Sequence, residues 1–130
     1  MVSLEVVRAS NQSLKTAMPG ITALFVGGTS GMGRSTLRHL AKSSESPTAY
    51  IIGRSETSAQ PALAELREIN PQGTFRFIEA DVSLIRNVDK ACDEIKKKET
   101  KLNVLFMTAG GIHMLGRRGL SFIRAMACPH

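Results

Sequence analysis

The chain has 130 residues, of which 42% are hydrophobic and 22% are charged, a length and balance typical of one globular domain rather than two. It contains no tryptophan, one tyrosine and five phenylalanines, so its core must consist mainly of aliphatic side chains. Such a core favours alternating strands and helices, and the composition therefore predicts an α/β fold.

The formal net charge of +6 is unevenly distributed along the chain. Arg117, Arg118 and Arg124 lie in the segment 112–130, which contains no acidic residue. The other basic run, at 96–98, lies at the carboxyl end of a predicted helix, where cations interact favourably with the helix dipole. No aromatic residues interleave with these lysines to stack on bases, so we favour a solvated helix end over a nucleic-acid-binding patch.

No segment has the pattern of a membrane span or of a secretory signal. The longest apolar run, 104–107 with its flanks, is far shorter than the roughly 18 residues that a span requires. Cys92 and Cys128 have neither metal-ligand spacing nor a disulfide framework. We therefore expect a protein of the cytosol, with no metal and no membrane partner.

From residue 21 onward, apolar runs alternate with helical patterns. Continuous apolar runs predict buried strands at 21–27, 49–53 and 103–109, and an alternating pattern predicts a further strand at 75–80. Apolar residues at helical spacing predict the intervening helices, at 31–42, 59–69 and 83–98. Pro61 is expected in the first turn of the second of these helices. This order predicts a parallel sheet of about four strands flanked by helices.

The two ends of the chain have weaker patterns. The lead-in at 1–20 predicts a short helix at 2–9, lying on the sheet edge. The tail at 112–130 is irregular, with a short helix at 120–127 at best. The folded unit predicted between them is 21–111.

The first predicted strand runs through the glycine-rich segment GGTSGMG, at 27–33, into a helix. Parallel sheets bind ligands beyond the carboxyl ends of their strands, where unpaired N–H groups at a helix start attract phosphate. Gly27 permits a tight turn, and Gly31 and Gly33 let the backbone approach a pyrophosphate. We predict a dinucleotide loop here; the alternative is that these glycines serve only a sharp turn.

Two arginines bear on which dinucleotide the loop holds. Arg34, in the first turn of the helix, opposes the dipole, so it either indicates a nearby phosphate or points into solvent. The second predicted strand ends in GRS, which places Arg54 and Ser55 where such folds distinguish a 2′-phosphate from a 2′-hydroxyl. The nearest acid in the sequence, Glu56, comes two residues after Arg54. We therefore favour NADP over NAD, with Arg54 and Ser55 as 2′-phosphate ligands; a merely exposed arginine is the alternative.

Polar segments also follow the third and fourth predicted strands. Asp81, in ADVS, either accepts a hydrogen bond from an adenine amino group or helps to cap the next helix, for which Ser83 is the favoured cap. The segment TAGG, at 108–111, has a backbone placed to pass near the cofactor ribose.

Together, GGTSGMG, GRS, ADVS and MTAGG resemble, in order and spacing, the amino-terminal half of a short-chain dehydrogenase/reductase, and look most like the fungal members attached to secondary metabolism. The resemblance covers about 21–111 and implies a Rossmann-like dinucleotide-binding half-domain and an oxidoreductase that uses NADP on a carbonyl or alcohol substrate. By position, it implies cofactor contacts at Gly27, Thr29, Ser30, Gly31, Met32, Gly33, Asp81, Val82, Ala109 and Gly110.

The sequence departs from the family pattern at two places. Val26 stands where a threonine is common, and Met107 and Thr108 replace both asparagines of an Asn-Asn-Ala-Gly motif. The hydrogen bonds with which those asparagines brace the central sheet are therefore in doubt.

The family's catalytic Tyr-x-x-x-Lys motif does not occur in these 130 residues. Tyr50, the only tyrosine, lies in the second predicted strand, and Arg54 rather than a lysine follows it by four positions. Ser121 and His113 lie in the tail without an activating partner. We therefore predict no catalytic residue in this chain.

We expect the cofactor half of an oxidoreductase, truncated before its catalytic residues by an early stop or a shifted reading frame, which would take a substrate only if completed by the missing half. Its fourth strand would then form an uncovered apolar edge. One alternative is a non-catalytic nucleotide-binding or regulatory module that pairs with a full-length relative through that strand. Another is a nucleic-acid-binding protein that uses the basic tail.

Overall fold

A computed structural model describes residues 1–108 of the chain. A helix precedes three repeats of strand and helix, and a fourth strand ends the described part. The elements are α1 (Leu4–Ala17), β1 (Thr22–Val26), α2 (Gly31–Ser43), β2 (Thr48–Gly53), α3 (Glu56–Ile69), β3 (Thr74–Glu79), α4 (Ile85–Lys98) and β4 (Val104–Met107). From β1 onward, each predicted strand and helix is present, with ends displaced by at most three residues.

The four strands form one parallel sheet in the order β3-β2-β1-β4. The chain moves outward from β1 through β2 to β3, and the connection that contains α4 then returns it to the other side of β1. Strand order therefore reverses between β1 and β4. This arrangement confirms the predicted α/β, Rossmann-like sheet flanked by helices.

The sheet has an apolar core on each face. Phe25 and Ile51 contact Leu37 of α2 and Leu66 of α3 in the core on one face. The core on the other face combines residues of β1, β2 and β3 with residues of α4: Leu24, Val26, Tyr50, Ile52, Ile78, Ala91 and Ile95. All five residues of β1 are buried, because that central strand is covered on both faces.

β4 is only partly covered. Its pairing with β1 places Leu105 beside Leu24 and Met107 beside Val26, on the α4 side of the sheet. The exposed fractions of Leu105 and Met107 are 41% and 44%, whereas Leu24 and Val26 are buried. The predicted uncovered apolar strand is thus present in the described part of the chain.

α1 is longer than the predicted helix at 2–9, extending over 14 residues beside α2. None of its residues is buried, so local signals define it. The hydroxyl oxygen of Ser3 accepts a hydrogen bond from the N–H of Val6 at 3.4 Å, and Glu5 and Lys15 lie in the first and last turns, where they favour the helix dipole.

α3 begins three residues earlier than predicted, at Glu56, because Ser55 caps it. The hydroxyl oxygen of Ser55 accepts a hydrogen bond from the N–H of Ser58 at 3.3 Å. The prediction that Pro61 lies in the first turn is therefore wrong. Pro61 lies in the second turn, where it has no N–H to donate to the carbonyl oxygen of Thr57.

A buried asparagine joins the ends of α2 and α3, on the side of the sheet away from the glycine loop. The side-chain amide of Asn70 donates to the carbonyl oxygens of Ala41, Ser44 and Glu45 at 2.9–3.1 Å. Its side-chain oxygen accepts from the N–H of Gly73 at 3.1 Å. The sequence predicts only a turn at this position.

α4 ends in three lysines, Lys96, Lys97 and Lys98, which confirms the predicted basic helix end. Within residues 1–108, no helix is both long enough and apolar enough to cross a membrane. The predicted tail helix at 120–127 lies outside the described residues.

Candidate cofactor-binding site

The segments predicted to bind a dinucleotide follow the carboxyl ends of the four strands. Backbone hydrogen bonds hold these ends side by side. The N–H of Gly27, after β1, donates to the carbonyl oxygen of Ile52 in β2 at 3.1 Å. The N–H of Ala80, after β3, donates to the carbonyl oxygen of Gly53 at 2.8 Å. The N–H of Thr108, after β4, donates to the carbonyl oxygen of Val26 at 2.9 Å. The segments after β1 and β4 thus border the crevice where strand order reverses, the usual ligand position in such sheets.

Two glycines give the loop after β1 its path. Gly27 and Gly31 have φ angles of 93° and 58°, in the left-handed region that side chains disfavour. Gly27 turns the chain out of β1, and Gly31 starts α2. The predicted tight turn and helix start are therefore present.

Gly33 is required for close packing. A Cβ atom at Gly33 would overlap the carbonyl oxygen of Gly27 and lie 3.0 Å from the hydroxyl oxygen of Thr108. The first turn of α2 thus rests directly on the glycine loop.

The start of α2 has no internal compensation for its positive end. Ser30 is the N-cap, but its side chain makes no capping hydrogen bond, and the first turn contains no acidic residue. Ser30, Gly31 and Met32 are exposed. Because the first N–H groups of a helix have no partner within the helix, this end can receive an anion.

Arg34 does not simply point into solvent, as one of its two predicted environments would require. Its guanidinium contacts Glu65 of α3, with Nη2 at 2.7 Å from the carboxylate, and Arg38 contacts the other carboxylate oxygen at 2.8 Å. The hydrogen bond from Arg34, together with the charge of Arg38, lowers the pKa of Glu65. Glu65 is therefore a partner of Arg34 within the chain, and a phosphate near Arg34 stays a prediction.

Arg54 and Ser55 lie between β2 and α3, and both are exposed. None of the ion pairs within residues 1–108 involves Arg54. Ser55 caps α3 by accepting a hydrogen bond, which leaves its own hydroxyl hydrogen free to donate. Thr29 of the glycine loop lies next to Gly53, the last residue of β2, since its methyl group would lie 3.9 Å from a Cβ atom at Gly53.

Glu79 of β3 lies beside the start of α3, a contact that the sequence does not reveal. Its carboxylate accepts a hydrogen bond from the N–H of Glu56, in the first turn of α3, at 3.0 Å. The carboxylate of Glu79 therefore already binds one N–H group at the start of α3, that of Glu56, which is two residues after Arg54 in the sequence.

Asp81 forms a turn rather than a helix cap. One of its carboxylate oxygens accepts hydrogen bonds from the N–H and the hydroxyl of Ser83, at 3.0 and 2.7 Å. These bonds, and then the charge of Arg54, lower the pKa of Asp81. α4 begins at Ile85 with Leu84 as N-cap, so the prediction of Ser83 as the cap is wrong. The exposed carboxylate remains available as an acceptor.

Val82 has a different environment from Asp81. It is half-buried and packs against the core on the α4 side of the sheet.

Thr108, which replaces the second asparagine of the family motif, links β4 to the glycine loop through its side chain. Its hydroxyl donates to the carbonyl oxygen of Gly27 at 3.0 Å, in addition to its backbone bond with β1. This contact was missed, although a hydroxyl directly after a strand and opposite a glycine loop is a signal for it. Ala109 and Gly110, the other predicted contacts here, lie outside the described residues, as do His113 and Ser121.

Tyr50 has a structural environment. It is buried in β2, and its hydroxyl donates to a carboxylate oxygen of Glu99 at 2.8 Å. Burial, followed by the hydrogen bond with Glu99, raises the pKa of Tyr50. A general acid or base needs a pKa nearer the working pH, so this tyrosine does not suit acid–base catalysis.

Residues 21–123 match the family model described as short chain dehydrogenase, which is most of the chain. The chain belongs to the short-chain dehydrogenase family. A curated oxidoreductase of Emericella nidulans is 58% identical to this chain over an alignment of 130 positions, which covers 97% of this chain and 39% of the relative. The chain thus spans less than half the length of that relative.

Solved structures of other proteins have the same fold. The RhlG/NADP active-site complex of Pseudomonas aeruginosa matches 72% of this chain and 36% of its own, with a TM-score of 0.62 at 21% identity. An NADH-dependent reductase complexed with NAD matches 78% of this chain and 39% of its own, with a TM-score of 0.62 at 24% identity. At these identities, the likeness supports the fold alone.

Proposed function

We propose that this chain is the cofactor-binding part of an NADP-dependent short-chain dehydrogenase/reductase that acts on a carbonyl or alcohol substrate, in fungal secondary metabolism as the resemblance implies. The observation that carries the choice of NADP is Arg54, an exposed cation after β2 with no ion pair inside residues 1–108. At that place in the fold, a basic side chain accommodates a 2′-phosphate, whereas an acidic one binds a ribose hydroxyl.

The proposed dinucleotide extends across the four strand ends, within a binding unit at 21–111. Its pyrophosphate lies at the uncapped start of α2, formed by residues 30–33 and bordered by Gly27 and Thr29. The 2′-phosphate is held by Arg54 and by the free hydroxyl hydrogen of Ser55, and the adenine lies beside Asp81 and Val82. Ala109 and Gly110 are proposed to pass near the ribose.

NADPH, when bound, supplies the hydride for reduction of a carbonyl group. This chain's residues bind and orient it. Because the sequence contains no Tyr-x-x-x-Lys motif, proton transfer to the substrate belongs to the whole oxidoreductase, which we propose to be longer than this chain. The chain by itself is therefore expected to bind the cofactor without turnover. We propose a cytosolic location for it, as the spacing of the cysteines in the sequence predicts.

The test of NADP preference compares NADPH and NADH binding in variants of Arg54. Loss of a charged hydrogen bond in Arg54→Ala should weaken NADPH binding about ten- to hundredfold, while NADH binding changes less than about twofold. Arg8→Ala removes the same charge from the exposed helix α1 and serves as the matched control. Equal losses for both cofactors in Arg54→Ala, or no loss for either, would refute the 2′-phosphate assignment.

A second candidate function is a non-catalytic module that pairs with another chain through β4. The observation that favours it is the exposure of Leu105 and Met107 on the α4 side of the sheet. Burying two such side chains against a partner would stabilise an association by removing apolar surface from water. Measuring the association state of the chain distinguishes this second candidate from a chain that only binds the cofactor.

A further inference from the structure

We propose that Thr108 is a positioning residue for the dinucleotide, acting through the carbonyl group of Gly27. This inference rests on the proposed function of the loop. The hydroxyl of Thr108 donates to the carbonyl oxygen of Gly27 at 3.0 Å, and no other side chain within residues 1–108 bonds that oxygen. Thr108 directly follows β4, whereas the loop follows β1.

The peptide group between Gly27 and Gly28 needs such an anchor. Rotation of this group changes ψ of one residue and φ of the next, and both are glycines. Neither has a Cβ atom to restrict the rotation, so the chain alone holds the orientation weakly. The loop therefore requires a contact from outside itself to keep one orientation.

The orientation matters for an anion at the start of α2. In a trans peptide the carbonyl oxygen and the N–H point in opposite directions, so the position of the oxygen also fixes that of the hydrogen. A carbonyl oxygen turned toward a pyrophosphate would place partial negative charge against it. With its oxygen held by Thr108, the group keeps that negative end beside β4 and the buried Gly33, and not turned toward the exposed residues 30–32, where we propose that the phosphates lie.

Close packing supports the same role. The hydroxyl oxygen of Thr108 would lie 3.0 Å from a Cβ atom on Gly33, and that Cβ atom would overlap the oxygen of Gly27. The three groups therefore meet at one point, where the loop, β4 and α2 come together. A shift of the Gly27 carbonyl toward Gly33 would therefore press against the helix start that is proposed to receive the phosphates.

The test uses Thr108→Val, which keeps the shape of the side chain and removes the hydroxyl, and Thr108→Ser, which keeps the hydroxyl. Titration with NADPH should show binding by Thr108→Val about three- to tenfold weaker than by the unsubstituted chain, with recovery in Thr108→Ser. Binding of adenosine 2′-monophosphate, which has no pyrophosphate, should be the same in all three proteins. That fragment is expected to contact Arg54 and the adenine side alone.

Each outcome bears on one proposal. If the unsubstituted chain binds the fragment and NADPH, and Thr108→Val binds both equally well, the role of Thr108 is wrong while the proposed function stands. If Thr108→Val loses affinity for the fragment as well, the hydroxyl supports the fold generally and the positioning role is again wrong. If the unsubstituted chain binds neither ligand, the proposed function itself fails.

Discussion

Gly33 has its α-carbon so close to the carbonyl oxygen of Gly27 that the position has no room for a side chain. Gly20 differs, because a Cβ atom there would meet nothing within 4 Å and its φ angle is outside the left-handed region. The two glycines thus provide a matched pair, one needed for packing at the candidate site and one in an open turn before β1.

Replacing Gly33 with alanine should damage the site, since the loop and α2 would have to separate. We expect Gly33→Ala to lower the free energy of unfolding by about 1–3 kcal/mol and to weaken NADPH binding at least tenfold, on the order seen for overpacked positions. Gly20→Ala should change neither quantity appreciably. Thermal unfolding and cofactor titration of both variants measure these effects, and equal behaviour of the two would contradict the packing role of Gly33.

The residues whose environment the sequence misjudged share one cause. Arg34 contacts Glu65 on another helix, and Thr108 contacts a loop that is distant in the sequence. Such partners depend on how α2, α3 and β4 come together, which neither helical spacing nor a local motif determines. By contrast, the path of the loop at Gly27 and Gly31 follows from backbone sterics of single residues, and it was predictable.

At the scale of elements, β4 differs from its neighbour β1. Both are apolar, but all of β1 is buried, whereas Leu105 and Met107 of β4 are 41% and 44% exposed. α4 packs against β1, β2 and β3 in the core on this face, and neither Leu105 nor Met107 belongs to that core. An exposed apolar strand of this kind favours association.

Lysine at either position should therefore reduce self-association. We expect Leu105→Lys and Met107→Lys to shift the protein toward monomer in light scattering after size exclusion, because a charge on this face resists burial. Leu102→Lys is the control, since Leu102 is similarly exposed, at 39%, but lies before the strand. If neither β4 variant differs from the control, the second candidate function loses its support.

The elements also separate what was predictable from what was not. Continuous apolar runs identified β1 and β2, because a strand covered on both faces has no polar alternation, whereas β3 alternates in its burial. α1 was predicted too short because its 14 residues bury nothing and so show no core-facing periodicity. The start of α3 was missed because the capping role of Ser55 competes with its reading as a phosphate ligand.

At the scale of the whole molecule, the described residues form one sheet whose crevice lies between β1 and β4. The glycine loop, Arg54, Asp81 and Thr108 all follow carboxyl ends of strands, as the order of elements requires. Family membership agrees with this arrangement over residues 21–123. We propose that this arrangement holds NADP(H), although the chain spans only 39% of the length of the Emericella nidulans relative.

The most direct test is titration of the purified chain with NADPH and with NADH. Binding is measured by isothermal titration calorimetry and by the fluorescence of the reduced nicotinamide. The account predicts saturable binding of one NADPH per chain, at least tenfold tighter than NADH on the scale of one charged hydrogen bond. Absence of saturable NADPH binding, or tighter binding of NADH, would contradict it.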